Sequence, residues 1–383
     1  MTLHDRVILG LIVLFDAVMA LILWPPVAPV NDYVGFVAGG KALLAGQDPY
    51  DASTWTAFAT GIGQRPDTAV FGYPPWVAVA FVPLALLPTL VGSAVWTVAG
   101  MAASYAGTMA LAARYAWPRG PVAALTLASW PAILVLLQGQ WGFALVALAC
   151  ALLLALARGQ DLRAGVAWAA LALAKPQLVA LGSFALLIWL VRRRRPRPIL
   201  AAAVTAVAAV AVGTLAAPGW LSPYLSLVLP LRSARSVQQP SLAGLAGDIG
   251  AALWLLVWLA LAGGLAVLIA WAVARAPSRD RAPLAFTAGL ALSIAASPYI
   301  WSYDHYLAVP LGAATIGITA ALPPRRRIAA TVTVLVLFGP LALGLFESAY
   351  LRWHDTLAGL VPPLAIALAA LIVWRVPRDR LAM

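Results

Sequence analysis

Residues 198–216 read PILAAAVTAVAAVAVGTLA, without a single charge, directly after the basic run RRRRPR at 192–197. A helix over this stretch rises about 28 Å, close to the ~30 Å hydrocarbon core of a bilayer. The pattern is that of a transmembrane span beside its cytoplasmic anchor. It recurs along the chain, and apolar runs at 7–24, 90–113, 121–136, 141–157, 250–274, 284–297, 306–322, 328–346 and 357–374 predict further spans. Two stretches fit less simply. Residues 74–88 are apolar but short, and 164–191 is long but interrupted by Lys175 and Pro176. Making 74–88 re-entrant and 164–191 two short helices gives about 12 spans, and making each a single span gives about 12 as well. The first counting keeps Arg114, Arg119, Arg158 and Arg163 on the cytoplasmic side with the clusters at 192–197, 275–281, 325–327 and 375–380; the second leaves them outside.

Composition agrees with this reading. Of 383 residues, 63% are hydrophobic and 10% charged, and the mean hydropathy is +0.92. A soluble chain of this length carries far more charge, so soluble, disordered and disulfide-scaffold classes are excluded. The net charge of +12 lies mostly in short arginine clusters between apolar runs, as topology signals do, rather than in a nucleic-acid patch. Cys150, the single cysteine, sits inside an apolar run and excludes an internal disulfide or a cysteine-cluster metal site. Val7 to Trp24 is followed by Pro25 and Pro26 without a small-residue cleavage site and reads as a retained signal anchor. The fold expected is one all-α polytopic membrane domain over 1–383, with outer loops at about 25–72 and 217–249.

The acids gather on the outer side: Asp32, Asp48, Asp51, Asp67, Asp248, Asp304, Glu347 and Asp355 all fall in the loops facing away from the cytoplasm. In the first of these loops Tyr33, Phe36, Val37, Gly40 and Leu44 recur at helical spacing, which predicts an amphipathic helix lying on the outer membrane surface. Asn31 can cap its start and Gly46 can end it. Asp32, in its first turn, either helps to cap the helix or stands as an ionised carboxylate able to accept a proton. Asp48 and Asp51 read as turn formers. Gln138 and Gln140 interrupt apolar sequence, and bind either a polyhydroxylated ligand or a neighbouring helix. Lys175 needs an anionic partner, a water-filled cavity or an interface to reach, and Asp16 in the first span is a second intramembrane charge. Residues 297–306, SPYIWSYDHY, form the densest polar and aromatic cluster outside the basic loops. Within it His305 either donates to a phosphate or moves a proton, or serves structurally, bonded to Asp304. Arg232 and Arg235 either clamp phosphate oxygens or are solvated loop charges. Trp24, Trp76, Trp130, Trp220, Trp301, Trp353 and Trp374 fall near span ends, as interfacial anchors do. No phosphate-binding glycine loop, His-Glu-x-x-His helix or Gly-x-Ser-x-Gly elbow is present.

Five pieces, in order, resemble glycosyltransferase family 87 of the GT-C superfamily, which includes polyprenyl-phosphate-mannose-dependent α-mannosyltransferases. They are Asp32-Tyr33 with Gly46 to Tyr50; Tyr73-Pro74-Pro75 leading to Pro83 through Pro88; Gly139-Gln140; Lys175-Pro176; and Ser297-Pro298 with Trp301 and Asp304-His305. The family often carries a second histidine where this chain has Tyr306, and the C-terminal part here is short.

The resemblance implies a GT-C-type helical bundle in the plasma (inner) membrane, both termini cytoplasmic, acting on the extracytoplasmic side. It implies a polyprenyl-phosphate-linked sugar donor, mannose foremost, and a glycolipid or glycan acceptor, with inversion and with neither metal nor cofactor. Asp32 matches the catalytic base, and His305 is set beside it as a catalytic residue. Lys175, Arg232 and Arg235 are assigned to the donor phosphate, and Tyr73, Gln140, Asp304 and Trp301 to sugar or acceptor. Two rival readings stand beside this one. A transporter or flippase of a lipid-linked or small anionic substrate uses Lys175 and Asp16 as midplane groups, yet the break at Lys175-Pro176 has no counterpart in the second half. A noncatalytic partner in an envelope-glycan machine requires that Asp32 and His305 be dispensable.

Overall fold

Proline sets the starts of several helices in this chain. Pro75, Pro176, Pro196 and Pro324 each occupy a first helical position, where a missing N–H costs nothing. The computed structural model describes residues 32–63, 69–230, 241–243, 253–276, 281–297, 299–339 and 355–376, and every regular element among them is helical. In order they are α1 (Asp32–Leu44), α2 (Ala52–Gly61), α3 (Pro75–Ala85), α4 (Thr89–Tyr115), α5 (Arg119–Ala128), α6 (Trp130–Gln138), α7 (Gly142–Ala157), α8 (Asp161–Ala174), α9 (Pro176–Arg192) and α10 (Pro196–Ala216). After a short helical turn at Leu221–Val228 come α11 (Trp254–Arg275), α12 (Arg281–Ala296), a 3₁₀ turn at Ser302–Ala308, α13 (Val309–Thr319), α14 (Pro324–Phe338), and α15 (Val361–Arg375) behind a 3₁₀ turn at Asp355–Leu360. The run 7–24 with Asp16, and Arg232, Arg235, Asp67, Asp248 and Glu347, lie outside the described residues.

Among the described residues four helices are long and apolar enough to cross a membrane, at 89–115, 196–216, 255–275 and 358–375; the pair α5–α6, bent by 40°, makes a fifth if taken as one broken span. α3, α7, α9 and α12 are apolar but shorter. The exposed faces of α10 and α11 carry Leu200, Val204, Val207, Leu215, Leu256, Leu259 and Val267. Apolar faces of that size on long helices belong against lipid. α12 and α13 are enclosed instead, with all of α13 buried.

The path of the chain follows from a few contacts. Arg195 pairs with Asp161, and its Nη1 donates to the Leu156 carbonyl at 3.3 Å. The end of α7 and the starts of α8 and α10 therefore meet, and α8 and α9 form a hairpin that reverses at Lys175. α4 and α7 run parallel: a Cβ on Gly100 would stand 3.1 Å from the Phe143 Cβ, and one on Gly107 2.8 Å from the Cys150 Cβ. Arg114, Arg158, Arg163 and the run 192–197 thus share one edge of the bundle, in agreement with the first of the two countings for 164–191. At the opposite edge the Trp76 indole donates to the Leu173 carbonyl at 3.0 Å, and a Cβ on Gly213 would stand 2.8 Å from the Trp76 nitrogen. α3 starts there and hands over to the start of α4 at the same edge, so it does not traverse the bundle.

α1 forms over the predicted residues but does not lie on the surface. Tyr33, Gly35, Phe36, Val37, Ala38, Gly39, Gly40 and Ala42 are all buried, which covers more than one face. The expectation of an amphipathic surface helix is corrected on this point. Glycines let neighbours approach on the sides read as exposed: a Cβ on Gly39 would stand 2.7 Å from the Phe71 ring, and one on Gly40 3.2 Å from the Phe81 backbone. Asp51 caps α2, accepting from the Thr54 amide at 2.8 Å. The hydroxyl of Ser53, then the Thr54 amide, hold its carboxyl below the ordinary carboxylate range.

Candidate active site

Gly139 ends α6 in the left-handed region, at φ +61°, which a residue without Cβ adopts without strain. The Trp96 indole donates to its carbonyl at 3.0 Å. This turn delivers Gln140 to the start of α1, where its amide Nε2 donates to the Asp32 carboxylate, and at 3.1 Å to the Tyr303 hydroxyl. Gln140 is buried, whereas Asp32 is half-buried and so accessible. An aromatic cluster fixes α1 in place. Phe36 meets Tyr73 and Phe81 at 4.9 Å each and Trp141 at 5.8 Å, and Trp96 meets Phe81 at 4.8 Å and Trp141 at 5.2 Å. Such pairs contribute about 0.5–1.5 kcal/mol each beyond the area they bury.

Lys175 stands at the tip of the α8–α9 hairpin. The residue before a proline is driven out of the helical region, and Lys175 is extended at φ −148°, which breaks the helix and frees its side chain. Its ammonium lies 2.7 Å from Asp304 Oδ1, and both side chains are almost fully buried, at 7% and 4% exposure. The same nitrogen sits 4.8 Å from the centre of the Tyr303 ring. Asp304 Oδ2 accepts from the Trp301 amide at 3.0 Å, while the Asp304 amide donates to the Trp301 carbonyl at 2.8 Å. Asp304 is thus engaged through both oxygens, as counter-ion and as cap of the 3₁₀ turn. A buried charge pair is tolerated only when its remaining hydrogen-bonding capacity is met, as here.

The three-residue period of the 3₁₀ turn sends consecutive side chains to different faces. Tyr303 faces Gln140, and Tyr306 follows it, donating to the Thr126 carbonyl at 2.8 Å and meeting the Phe143 ring at 5.1 Å. His305 falls on another face: it is fully buried, its ring 5.4 Å from Trp130 and its Nδ1 3.0 Å from the Ser302 carbonyl. One anchor of this imidazole is thus the turn's own backbone. Trp130 is itself buried, with its indole donating to the Leu337 carbonyl at 3.3 Å, and is not the interfacial anchor expected from its position. Trp301 is half-buried, its indole 3.1 Å from the Tyr299 hydroxyl. Tyr73, half-buried, accepts at its carbonyl from the Tyr50 hydroxyl.

The structure therefore brings Asp32, Gln140, Lys175 and Asp304 into one group. It joins them through Tyr303, a residue the sequence left unassigned although it lies between Trp301 and Asp304. In this turn between α12 and α13 burial, then the carboxylates of Asp32 and Asp304, push the Tyr303 hydroxyl well above its usual range, so it stays protonated. Among the described residues no three of His, Cys, Asp or Glu gather to hold a metal.

The sequence profile of glycosyltransferase family 87 matches residues 71–298, more than half of the chain. The chain belongs to that family. This family 87 protein is accordingly a membrane glycosyltransferase, with a sugar donor and an acceptor as its substrates. The match includes Tyr73, Gln140 and Lys175; Asp32 lies before it and Trp301, Tyr303, Asp304 and His305 after it. No curated protein matches the chain.

Proposed function

We propose that this protein transfers a sugar, mannose foremost, from a polyprenyl-phosphate donor to a glycolipid or glycan of the cell envelope, on the outer face of the plasma membrane and with inversion. The observation that carries the reading is the group itself. A half-exposed carboxylate, Asp32, is held by Gln140 beside a buried cation, Lys175, at the bundle edge opposite the arginines. By the positive-inside rule the arginine edge is cytoplasmic and the Asp32 edge is outside. With 7–24 as a first span, and with α7, α8, α9, α12, α13 and α14 crossing beside the five spans given above while α3 is re-entrant, the chain makes about 12 crossings as one GT-C-type domain with both termini inside.

In the proposed reaction the acceptor hydroxyl oxygen attacks the anomeric carbon from the face opposite the phosphate. Asp32 takes the hydroxyl proton as the bond forms. The bond from the anomeric carbon to the phosphate oxygen breaks, and polyprenyl phosphate leaves with the electron pair. Its growing charge needs cations in a poorly hydrated place. Lys175 carries three donors, of which Asp304 engages one, and we assign the others to the leaving phosphate, with Arg232 and Arg235 as helpers from the second outer loop. Tyr73, Gln140 and Trp301 line the sugar and acceptor side. The fully buried His305 is assigned to holding the turn that carries Tyr303 and Asp304, close to the reaction though not at the phosphate.

The test follows polyprenyl phosphate released by purified protein in lipid, given a panel of polyprenyl-phosphate sugars and crude envelope glycolipid. Asp32→Asn keeps size and removes the base, and is expected to lower kcat by about 10²–10⁴-fold while donor binding persists. Undiminished release in that variant removes Asp32 from the mechanism. Absence of release with every donor, together with movement of lipid across the bilayer, points to the flippase instead.

A further inference from the structure

Tyr303 touches both halves of the group described above. Its hydroxyl accepts from Gln140 Nε2 at 3.1 Å, the same nitrogen that donates to Asp32. Its ring lies 4.8 Å from the Lys175 ammonium, which also makes a carboxylate contact of 2.7 Å. Gln140 lies 163 positions away in the chain, so the contact depends on the fold and not on local sequence. An amide holding a carboxylate is useful only if it cannot rotate away, and a second acceptor on the same nitrogen fixes its orientation. A flexible ammonium is likewise confined when a ring closes one side of it and a carboxylate another. We infer that Tyr303 is a positioning residue for transfer: its hydroxyl locks the Gln140 amide that holds Asp32, and its ring sets the direction in which Lys175 meets the phosphate.

This rests on the glycosyltransferase reading, and separates into two effects. Tyr303→Phe removes the hydroxyl and keeps the ring. With Gln140 less fixed, kcat falls by about tenfold, as the loss of one buried hydrogen bond implies. Donor KM stays near the wild-type value. The Gln140 N–H favours the ionised form of Asp32, so loosening it moves the acid limb of the kcat/KM profile to higher pH. The ionisable and charged groups facing Tyr303 are Asp32, Asp304, Lys175, Tyr73 and Tyr299, and Asp32→Asn identifies which of them owns that limb. Tyr303→Leu removes the ring as well and adds a rise in donor KM of about tenfold, the scale of a desolvated cation–ring contact.

The experiment measures both variants with the donor panel and crude envelope glycolipid, beside thermal melting in detergent. The inference holds if Tyr303→Phe lowers kcat and shifts the acid limb at unchanged melting temperature and donor KM. It is overturned if that variant keeps the wild-type kcat and limb, or if its losses in kcat and KM track a loss of melting temperature. Should Tyr303→Leu fail to fold, Tyr303→Phe decides alone. Release by the wild type with no donor of the panel overturns the underlying reading and this inference together, whereas active wild type with an unaffected Tyr303→Phe overturns this inference only.

Discussion

A lysine 6% exposed in an apolar bundle persists only when its charge is answered. Lys175 finds that answer in Asp304, 129 positions later, and no spacing in the sequence announces a pair so distant. Lys175-Pro176 itself was legible, because a lysine before proline in an apolar run marks both a break and a cost. What it paired with was not, and neither was the engagement of both Asp304 oxygens. The two partners are expected to be coupled in stability. Lys175→Met leaves a buried carboxylate alone and costs about 3–5 kcal/mol. Adding Asp304→Asn removes that charge and should return most of the melting temperature without restoring sugar transfer. Recovery of both in the double variant would show the pair to be structural only.

At the scale of elements, the contact between α9 and α12 governs how the hairpin tip reaches the 3₁₀ turn. A Cβ on Gly289 would stand 2.8 Å from the Gly182 Cα, and Ser293 Oγ accepts from the Leu181 amide at 2.9 Å. Small residues and a serine let two backbones approach closely, as in membrane helix pairs generally. Gly289→Leu is expected to force α9 away from α12, lowering melting temperature and transfer activity together, while Ser293→Ala, which keeps the approach, costs far less. The measurement is the melting curve of each variant beside its rate. Helix positions were largely readable: 90–113, 141–157 and 198–216 fall on α4, α7 and α10. The burial of α1 was not, because the spacing of Tyr33, Phe36 and Val37 defines one apolar face, whereas Gly35, Gly39 and Gly40 admit neighbours on the others. Periodicity counts side chains and is blind to faces made by their absence. Single-span and hairpin readings of 164–191 were equally apolar; the arginines favoured the hairpin, and the Asp161–Arg195 pair shows it.

Across the whole molecule the two ends differ in kind. One edge collects Arg114, Arg158, Arg163 and the run 192–197, and the other collects the carboxylate, the amide and the aromatic turn. The hairpin between them has arms of unequal length. α8 has 14 residues, a rise of about 21 Å, against a hydrocarbon core of ~30 Å. A bilayer anchored at the arginine edge therefore stands some 9 Å above the ammonium at the hairpin tip. In such a bilayer the lipid–water boundary would lie beyond the Lys175–Asp304 pair, at a distance set by the membrane rather than by the protein. Acyl length then becomes a control on the enzyme: reconstituted in a series from short to long chains, it should lose turnover as the bilayer thickens, with melting temperature little changed. Constant turnover across the series would mean that the surrounding leaflet thins to meet the short arm.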